Sequence, residues 1–238
     1  MKIALIGYGK MGKEIEKIAL QRNHTISHKF SSNTPFIEQS ACDADVAIEF
    51  TLPSCAAAHI NQCLDLEIPV VSGTTGWMDE LPAIHEKTKH TNGAVLYASN
   101  FSLGVHLFFE MSKKMGALMN NRSYETRITE THHTEKKDKP SGTAISTAEV
   151  LLKELSNYNS WSLEEGQTIP KDAIPINSIR TENVPGTHEV SFTSEIDTIA
   201  LTHTANNRKG FALGAVIAAE WILDKKGLFT MADVLNLK

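Results

Sequence analysis

The feature that most constrains the fold is a glycine-rich loop close to the N-terminus. Residues 3–6 form a short apolar run, which is typical of a buried parallel strand. Residues 7–12 then read Gly-Tyr-Gly-Lys-Met-Gly, the pattern GxGxxG, and residues 13–19 mix charged and apolar side chains at helical spacing. A strand, this loop and a helix in that order indicate a dinucleotide-binding unit. We therefore predict a Rossmann-type domain at the start of an α/β chain.

Each glycine of the loop has its own physical role. Gly7 permits the tight turn, Gly9 lets backbone amides approach a pyrophosphate, and Gly12 lets the helix pack close to the strand. The amides at the helix N-terminus attract phosphate groups. The alternative is a glycine turn that binds nothing. We predict that NADH or NADPH is held by Gly7, Tyr8, Gly9, Lys10, Met11 and Gly12.

The segment after the predicted second strand bears on coenzyme preference. NAD-specific sites commonly place an acidic residue there, about 20 residues after the glycines, to bind the ribose hydroxyls. Residues 26–32 contain no acid. Lys29, with Ser31 and Ser32, would instead suit a 2′-phosphate, and an ordinary solvated lysine is the equal alternative. The choice between NADH and NADPH therefore stays open at this point.

Strand and helix signals alternate up to residue 101, which favours βαβ units and a parallel sheet. Ser54 is the expected N-cap of the second helix. The predicted elements are strands at residues 45–50, 68–72 and 94–97 and helices at residues 55–66 and 81–89.

Polar or glycine-rich loops follow three of these strands. Ligands bind at the carboxyl ends of parallel strands, although strand-end loops are commonly polar without any ligand. Together with the glycine loop, they favour a wall of the coenzyme site. The residues predicted to line it are Thr51, Gly73, Thr74, Thr75, Ala98, Ser99, Asn100 and Phe101.

Residues 130–143 concentrate chemically active side chains. The adjacent His132 and His133 precede Lys136, Lys137 and Lys139, and Pro140-Ser141-Gly142-Thr143 leads into a helical pattern. Ser141 suits an N-cap, and amides at a helix N-terminus bind anions. Histidine titrates near neutrality and lysine binds carboxylates, so this segment indicates an anionic substrate with proton transfer nearby. A metal ion shared by His132 and His133 is disfavoured, because adjacent residues of a strand point to opposite faces. The alternative for the three lysines is an ordinary solvated run of charge.

The same segment resembles the signature of the 4-hydroxy-tetrahydrodipicolinate reductase (dihydrodipicolinate reductase) family, E-x-H-H-x-x-K-x-D-x-P-S-G-T. The resemblance extends to residues 73–76, 100–105 and 188–190, in the right order along nearly the whole chain. The signature is matched at Glu130, His132, His133, Lys136, Asp138, Pro140, Ser141, Gly142 and Thr143.

The resemblance implies an NADH- or NADPH-dependent reductase of the lysine and diaminopimelate pathway. It assigns His132 as the catalytic acid/base and Lys136 as the proton donor. His133, Gly142 and Thr143 would bind the carboxylates of the cyclic imine substrate, and the chain would form a homotetramer through strands of its second domain. The alternatives are another two-domain NAD(P)-dependent amino-acid or polyol dehydrogenase, and a non-catalytic coenzyme-sensing protein.

The pattern of elements changes after residue 101. Strand-like runs at residues 124–129, 176–180, 189–192 and 199–204 surround one clear helix near residues 143–155. Residues 161–175 look like a polar connection, and residues 183–188 like a turn. We predict a dinucleotide-binding domain of residues 1–103 plus 210–238, which includes an apolar helix at residues 211–225. Residues 104–209 would form an α+β mixed-sheet domain for substrate binding and oligomerisation.

Composition excludes several classes of function. The 23 basic residues against 28 acidic residues give a net charge of −5, which argues against a nucleic-acid binder. No apolar run reaches the roughly 20 residues of a membrane-spanning helix. The three cysteines follow no CxxC spacing, so we expect neither disulfides nor a metal site, and we expect a cytoplasmic protein.

Overall fold

The computed structural model describes residues 1–37, 42–166, 168–207 and 209–237. The chain divides into two compact units, one of Met1–Leu103 with Lys209–Lys238 and one of Gly104–Arg208. Within the described residues, no helix has the length and apolar character needed to cross a bilayer.

The elements follow one another along the chain as β1, α1, β2, β3, α2, β4, α3, β5, α4, β6, α5, β7, β8, β9, β10, α6, β11 and α7. The strands are β1 (Lys2–Ile6), β2 (Thr25–Phe30), β3 (Val46–Glu49), β4 (Val70–Ser72), β5 (Ala94–Tyr97), β6 (Glu125–His132), β7 (Ser160–Leu163), β8 (Ala173–Arg180), β9 (Gly186–Thr193), β10 (Thr198–Ala205) and β11 (Gly227–Phe229). The helices are α1 (Lys10–Gln21), α2 (Pro53–Asp65), α3 (Leu81–Thr91), α4 (Leu103–Met119), α5 (Gly142–Leu152), α6 (Lys209–Ile222) and α7 (Met231–Val234).

The first unit is built on a parallel sheet with the strand order β11-β5-β4-β3-β1-β2. Successive residues of β1 enter different cores: Ile3 and Leu5 pack with α1 and α6, whereas Ala4 and Ile6 pack with α2. Both faces are thus covered, which is why the strands read as continuous apolar runs. The strand order reverses between β1 and β3, and a crevice for ligands opens at such a point. The predicted Rossmann-type fold is confirmed.

The second unit holds a mixed sheet with the order β10-β9-β6-β8-β7. The central strand β6 pairs antiparallel with β9 and parallel with β8. One face of β6 is buried from Thr126 through Ile128 and Glu130 to His132. The apolar part of that face packs with α5 through Ala148 and Leu151. The polar end of the same face, formed by Glu130 and His132, is therefore the candidate for catalysis.

Helix α4 differs from the sequence prediction, which placed one clear helix in the second domain. Its buried positions are Val105, Phe108, Ser112 and Gly116. The spacing is helical, but two of the four residues are small or polar, so the apolar stripe that would reveal the helix is incomplete.

Two further predictions were wrong for reasons of strand pairing. The polar connection predicted at residues 161–175 contains most of β7 and the start of β8, which pair in parallel. The turn predicted at residues 183–188 ends earlier, because β9 begins at Gly186 and places His188 inside a strand.

The start of α2 also differs from the prediction. Pro53 opens the helix and Leu52 is its N-cap, so Ser54 is not the cap, and no side chain of the described residues caps this end. Proline suits this first position because its φ is already helical and its missing N–H would have no partner there.

Candidate active site

The glycine loop sits at the reversal point of the parallel sheet. Gly7 has a φ of +99°, and a Cβ there would lie 2.0 Å from the carbonyl oxygen of Phe50. A Cβ at Gly12 would lie 2.6 Å from the carbonyl oxygen of Gly7. Gly9 faces open space, since in the described part of the chain no atom beyond its two sequence neighbours lies within 4 Å of its Cβ position. The loop therefore needs two glycines for its own packing and exposes the third.

Two cavities open beside this loop. One, of about 310 Å³, is bounded by α1 and the segments that follow β3 and β4. The other, of about 410 Å³, extends to the end of β2 and includes Ser31 and Ser32. Among the described residues no side chain caps α1, so its first amides are left without a side-chain acceptor. Predicted coenzyme residues lining the first cavity are Gly7, Gly9, Lys10, Met11, Thr51, Gly73, Thr74 and Thr75, and Tyr8 lines the second.

These features fit a dinucleotide. The open Gly9, the uncapped helix terminus and the cradle at the reversal point are what a pyrophosphate requires. The hydroxyls of Ser31 and Ser32 stand where an adenosine ribose is expected.

Lys29 is engaged within the protein and lines neither cavity. Its Nζ lies 2.6 Å from Glu16 Oε1 and 4.9 Å from the centre of the Tyr8 ring, and the Tyr8 hydroxyl donates to the same carboxylate. The hydrogen bonds from Lys29 and Tyr8 lower the pKa of Glu16. A 2′-phosphate would therefore compete with Glu16 for this lysine.

The predicted residues after β5 also lie away from the two cavities. Phe101 is buried, and its ring packs against Phe50 at 5.7 Å. Asn100 Oδ1 accepts a hydrogen bond from the amide of Ser102 at 2.8 Å. Ala98 and Ser99 complete this segment, and neither cavity includes them.

A second group of polar residues is buried in the mixed sheet. Glu130 and His132 share the buried face of β6, and strand pairing puts His188 of β9 opposite Glu130. His132 Nδ1 lies 3.2 Å from Glu130 Oε2, and the two imidazole rings are 5.0 Å apart. The signature residue His132 thus has a buried carboxylate behind it.

Glu130 is held by several donors. Its Oε1 accepts from the Ser141 amide at 3.0 Å, the Ser178 hydroxyl at 2.7 Å and Arg180 Nη2 at 3.1 Å. Burial raises the pKa of this carboxyl, but the hydrogen bonds from His132, Ser141 and Ser178 outweigh it and leave the pKa well below the ordinary value. The side chain is therefore a buried anion at neutral pH.

His188 is kept neutral. Burial, followed by the neighbouring His132, lowers its pKa to about 4. Its Nε2 lies 3.2 Å from the Ser141 hydroxyl. Sequence reasoning missed Arg180 and Ser178 and gave no role to His188, since only strand pairing brings these residues to Glu130.

The start of α5 lies on the other side of Glu130. Ser141 caps the helix by accepting from the Ala144 amide at 3.2 Å, which confirms the predicted cap. Gly142 faces open space, and Thr143 follows it in the first turn. The same carboxylate therefore fixes both His132 and the helix N-terminus that was predicted to bind an anion.

The remaining signature side chains surround this group. Lys136 is partly exposed and pairs with Asp138 at 2.8 Å. Arg180 donates to the carbonyl oxygens of Lys136 at 3.3 Å and Asp138 at 2.6 Å, which ties their loop to Glu130. His133 is half-buried, and among the described residues its Nδ1 has no hydrogen-bond partner.

The cluster of Glu130, His132 and His188 has the spacing of a metal site, with ligand atoms within 4.8 Å of one another. The guanidinium of Arg180 already contacts the carboxylate at 3.1 Å. A buried cation next to the only anionic ligand of the trio opposes a second cation. The group is better suited to proton chemistry.

Comparisons with known proteins agree along the whole chain. The family models described as dihydrodipicolinate reductase, N-terminus, and dihydrodipicolinate reductase, C-terminus, match residues 1–101 and 104–235. A 4-hydroxy-tetrahydrodipicolinate reductase of Christiangramia forsetii is 48% identical over 99% of this chain and 98% of its own. That of Rickettsia bellii is 37% identical over 94% of this chain and 90% of its own.

The fold has a similar match among solved structures. The dipicolinate-bound dihydrodipicolinate reductase from Paenisporosarcina sp. TG-14 superposes with a TM-score of 0.77 at 24% identity, covering 97% of each chain.

Proposed function

Because this chain belongs to the dihydrodipicolinate reductase family, it reduces 4-hydroxy-tetrahydrodipicolinate with NADH or NADPH in lysine and diaminopimelate biosynthesis, and we propose how its residues divide that work. The first unit would bind the coenzyme. The second unit would bind the substrate and supply the proton. The contacts of Glu130 with both His132 and Ser141 are the observation that carries this division.

The coenzyme site is the pair of cavities at the reversal point of the parallel sheet. The pyrophosphate would rest on the Gly9 backbone and the first turn of α1, beginning with Lys10 and Met11. Thr51 and residues 73–75 would line the wall towards the nicotinamide. When bound, the coenzyme supplies the hydride that the reduction consumes.

The substrate site starts from the charge of the substrate, which carries two carboxylates. Gly142 and Thr143, at the positive end of the α5 dipole, would hold one of them. The half-buried His133 would hold the other, as the resemblance implies.

His132 is proposed as the acid/base group. With Nδ1 lying 3.2 Å from Glu130 Oε2, Nε2 would be the nitrogen that exchanges a proton with the substrate. Gly186 keeps that nitrogen accessible, because a Cβ there would lie 3.0 Å from it. Ionised Glu130 places a negative charge beside the imidazole of His132. Lys136 would donate a proton after release from Asp138.

An assay of purified protein tests this proposal. The substrate is generated from pyruvate and aspartate semialdehyde, and turnover is followed by the loss of reduced-coenzyme absorbance with NADH and with NADPH. We expect His132→Ala and Lys136→Ala each to lower kcat by about 10²- to 10⁴-fold while coenzyme binding is retained. The exposed Lys137, next to Lys136, gives a matched control in Lys137→Ala. Near-normal turnover in both test variants would contradict the assigned roles.

The assembly and compartment are also proposed. The resemblance implies a homotetramer formed through strands of the second unit, and β10 is the edge strand of that sheet with Ile199 exposed. Light scattering of the eluting peak during gel filtration measures the mass, and a monomer would exclude the tetramer.

All three cysteines are free, which supports a reducing compartment such as the cytoplasm.

A further inference from the structure

Glu49 is a buried carboxylate that the proposed chemistry leaves without a role. It is the last residue of β3, and its exposed fraction is 0%. A buried charge is costly unless several groups hydrogen-bond to it. Its partners therefore indicate what it does.

Three hydroxyl groups donate to this carboxylate. Ser72 Oγ lies 2.6 Å from Oε2, Thr74 Oγ1 lies 2.8 Å from Oε1, and the Thr51 hydroxyl also donates to Oε1. The donors come from the end of β4 and from the segments that follow β3 and β4. Burial raises the pKa of Glu49, but hydrogen bonds from His59, Ser72 and the two threonines outweigh it and lower the pKa.

Thr51 and Thr74 are also joined by a hydrogen bond. The Thr51 amide donates to Thr74 Oγ1 at 2.7 Å, and the Trp77 indole donates to the Thr74 carbonyl oxygen at 2.8 Å. The Gly73 amide donates to the carbonyl oxygen of Glu49 at 2.9 Å. Glu49 therefore fixes both the segment that follows β3 and the segment that follows β4.

These loops form one wall of the cavity of about 310 Å³ beside the glycine loop, which Thr51, Gly73 and Thr74 line. Glu49 and Ser72 do not line it. The carboxylate therefore has no contact with the cavity and acts on it only through the side chains above it.

We propose that Glu49 is a positioning residue for the coenzyme, which orients Thr51 and Thr74 so that the wall of the cavity is formed before the coenzyme binds. The inference rests on the proposed coenzyme site and adds a residue outside the glycine loop and outside the signature segment. A preformed wall spares the coenzyme the cost of ordering two loops.

Glutamine at this position tests the role of the carboxylate. An amide has one acceptor oxygen where the carboxylate has two, and its N–H groups would face hydroxyls that already donate inward. Thr51 and Thr74 both donate to Oε1, whereas Ser72 donates to Oε2. An amide oxygen in place of Oε1 is a neutral acceptor, and hydrogen bonds to a neutral acceptor are weaker than those to a carboxylate. Glutamine therefore holds the two threonines less firmly, which loosens the cavity wall.

The experiment compares Glu49→Gln with Ser72→Ala, which removes a hydrogen bond to the same carboxylate without altering the lining of the cavity. NADH binding is measured by fluorescence titration, together with Tm and with kcat and KM for both substrates. We expect Glu49→Gln to raise the Kd and KM for NADH about 10-fold, the effect of weakening two charge-assisted hydrogen bonds in the wall. The kcat at saturating coenzyme and the KM for the imine should stay within about twofold, and Ser72→Ala should lower Tm with little change in Kd.

A Glu49→Gln protein that loses Tm but binds NADH like the wild type would overturn the inference, since the residue would then serve stability alone. If Glu49→Gln does not fold, Glu49→Asp replaces it, because the shorter side chain keeps the charge but cannot reach the same three hydroxyls. Glu49→Asp should raise the Kd for NADH, and an unchanged Kd would reject the inference. A wild-type protein that binds neither coenzyme would overturn the proposed function itself.

Discussion

The carboxylate of Glu130 serves both halves of the candidate active site. Oε2 faces His132, whereas Oε1 accepts from the amide of Ser141 at the start of α5. The proposed acid/base group and the proposed anion-binding helix end are thus fixed by a single residue. Substitution of Glu130 should accordingly affect both the proton step and substrate binding.

We predict that Glu130→Gln lowers kcat about 10²-fold and raises the KM for the imine, because His132 loses its anionic neighbour and the Ser141 amide loses its charged acceptor. The Kd for NADH should not change. Steady-state kinetics and fluorescence titration measure these quantities. The control is Ser178→Ala, which removes a 2.7 Å hydrogen bond to the same carboxylate without touching His132 or Ser141. Equal kinetic losses in the two variants would show that Glu130 acts through stability.

The ion pair between Lys29 and Glu16 bears on coenzyme preference. Glu16 now holds the lysine that would otherwise be available to a 2′-phosphate. We predict that Glu16→Gln improves the Kd for NADPH relative to NADH by roughly two- to fivefold, the range of a partly exposed ion pair. Lys29→Ala should remove this gain in the double variant. Glu14→Gln is the control, since Glu14 pairs with Lys17 on the same helix. An unchanged ratio of the two Kd values would show that Lys29 does not determine the preference between NADPH and NADH.

At the scale of elements, the cap of α5 links helix stability to substrate binding. Ser141 satisfies the Ala144 amide and contacts His188, and the helix end it fixes is the proposed carboxylate site. We predict that Ser141→Ala costs about 1 kcal/mol of stability and raises the KM for the imine several-fold. Thr230→Ala, at the N-cap of α7, should cost similar stability with unchanged kinetics. Thermal melts and kinetics would contradict this prediction if both variants behaved alike.

Elements set by local chemistry were predictable from the sequence. The glycine loop, the strand before it and the cap at Ser141 depend on neighbouring residues, and each is observed where it was predicted. Helix α4 was missed because Ser112 and Gly116 interrupt its apolar stripe. β7 was missed because a short, half-buried strand has no strong pattern of its own and exists through its pairing with β8.

The polar clusters of the two sheets were predicted only in part. His132 and the signature residues around it were identified from sequence. Their buried partners were not, because strand register creates them: β6 pairs Glu130 with both Ser178 and His188. Glu49 was read only as part of a strand for the same reason, since its donors come from a neighbouring strand and the loops that follow.

At the scale of the whole molecule, the second unit should be sensitive to acid. His188 takes up a proton in the unfolded chain near pH 6.5 but in the folded protein only near pH 4. Between these values the unfolded state binds more protons, so stability falls as the pH falls. Glu130 also makes stability fall as the pH falls, at pH values below its ordinary pKa, because folding lowers the pKa of this carboxyl.

The expected loss from His188 is on the order of 3 kcal/mol between about pH 6.5 and pH 4, since one pKa unit corresponds to about 1.4 kcal/mol. Urea unfolding followed by circular dichroism across this range measures it. His188→Gln should be less stable than the wild type at neutral pH, because it loses packing against His132, yet its stability should fall less steeply with acid. His90→Gln, at an exposed position, should keep the wild-type slope. If His188→Gln also keeps that slope, another group governs acid unfolding, and the neutral buried His188 is not the acid-sensitive element of this unit.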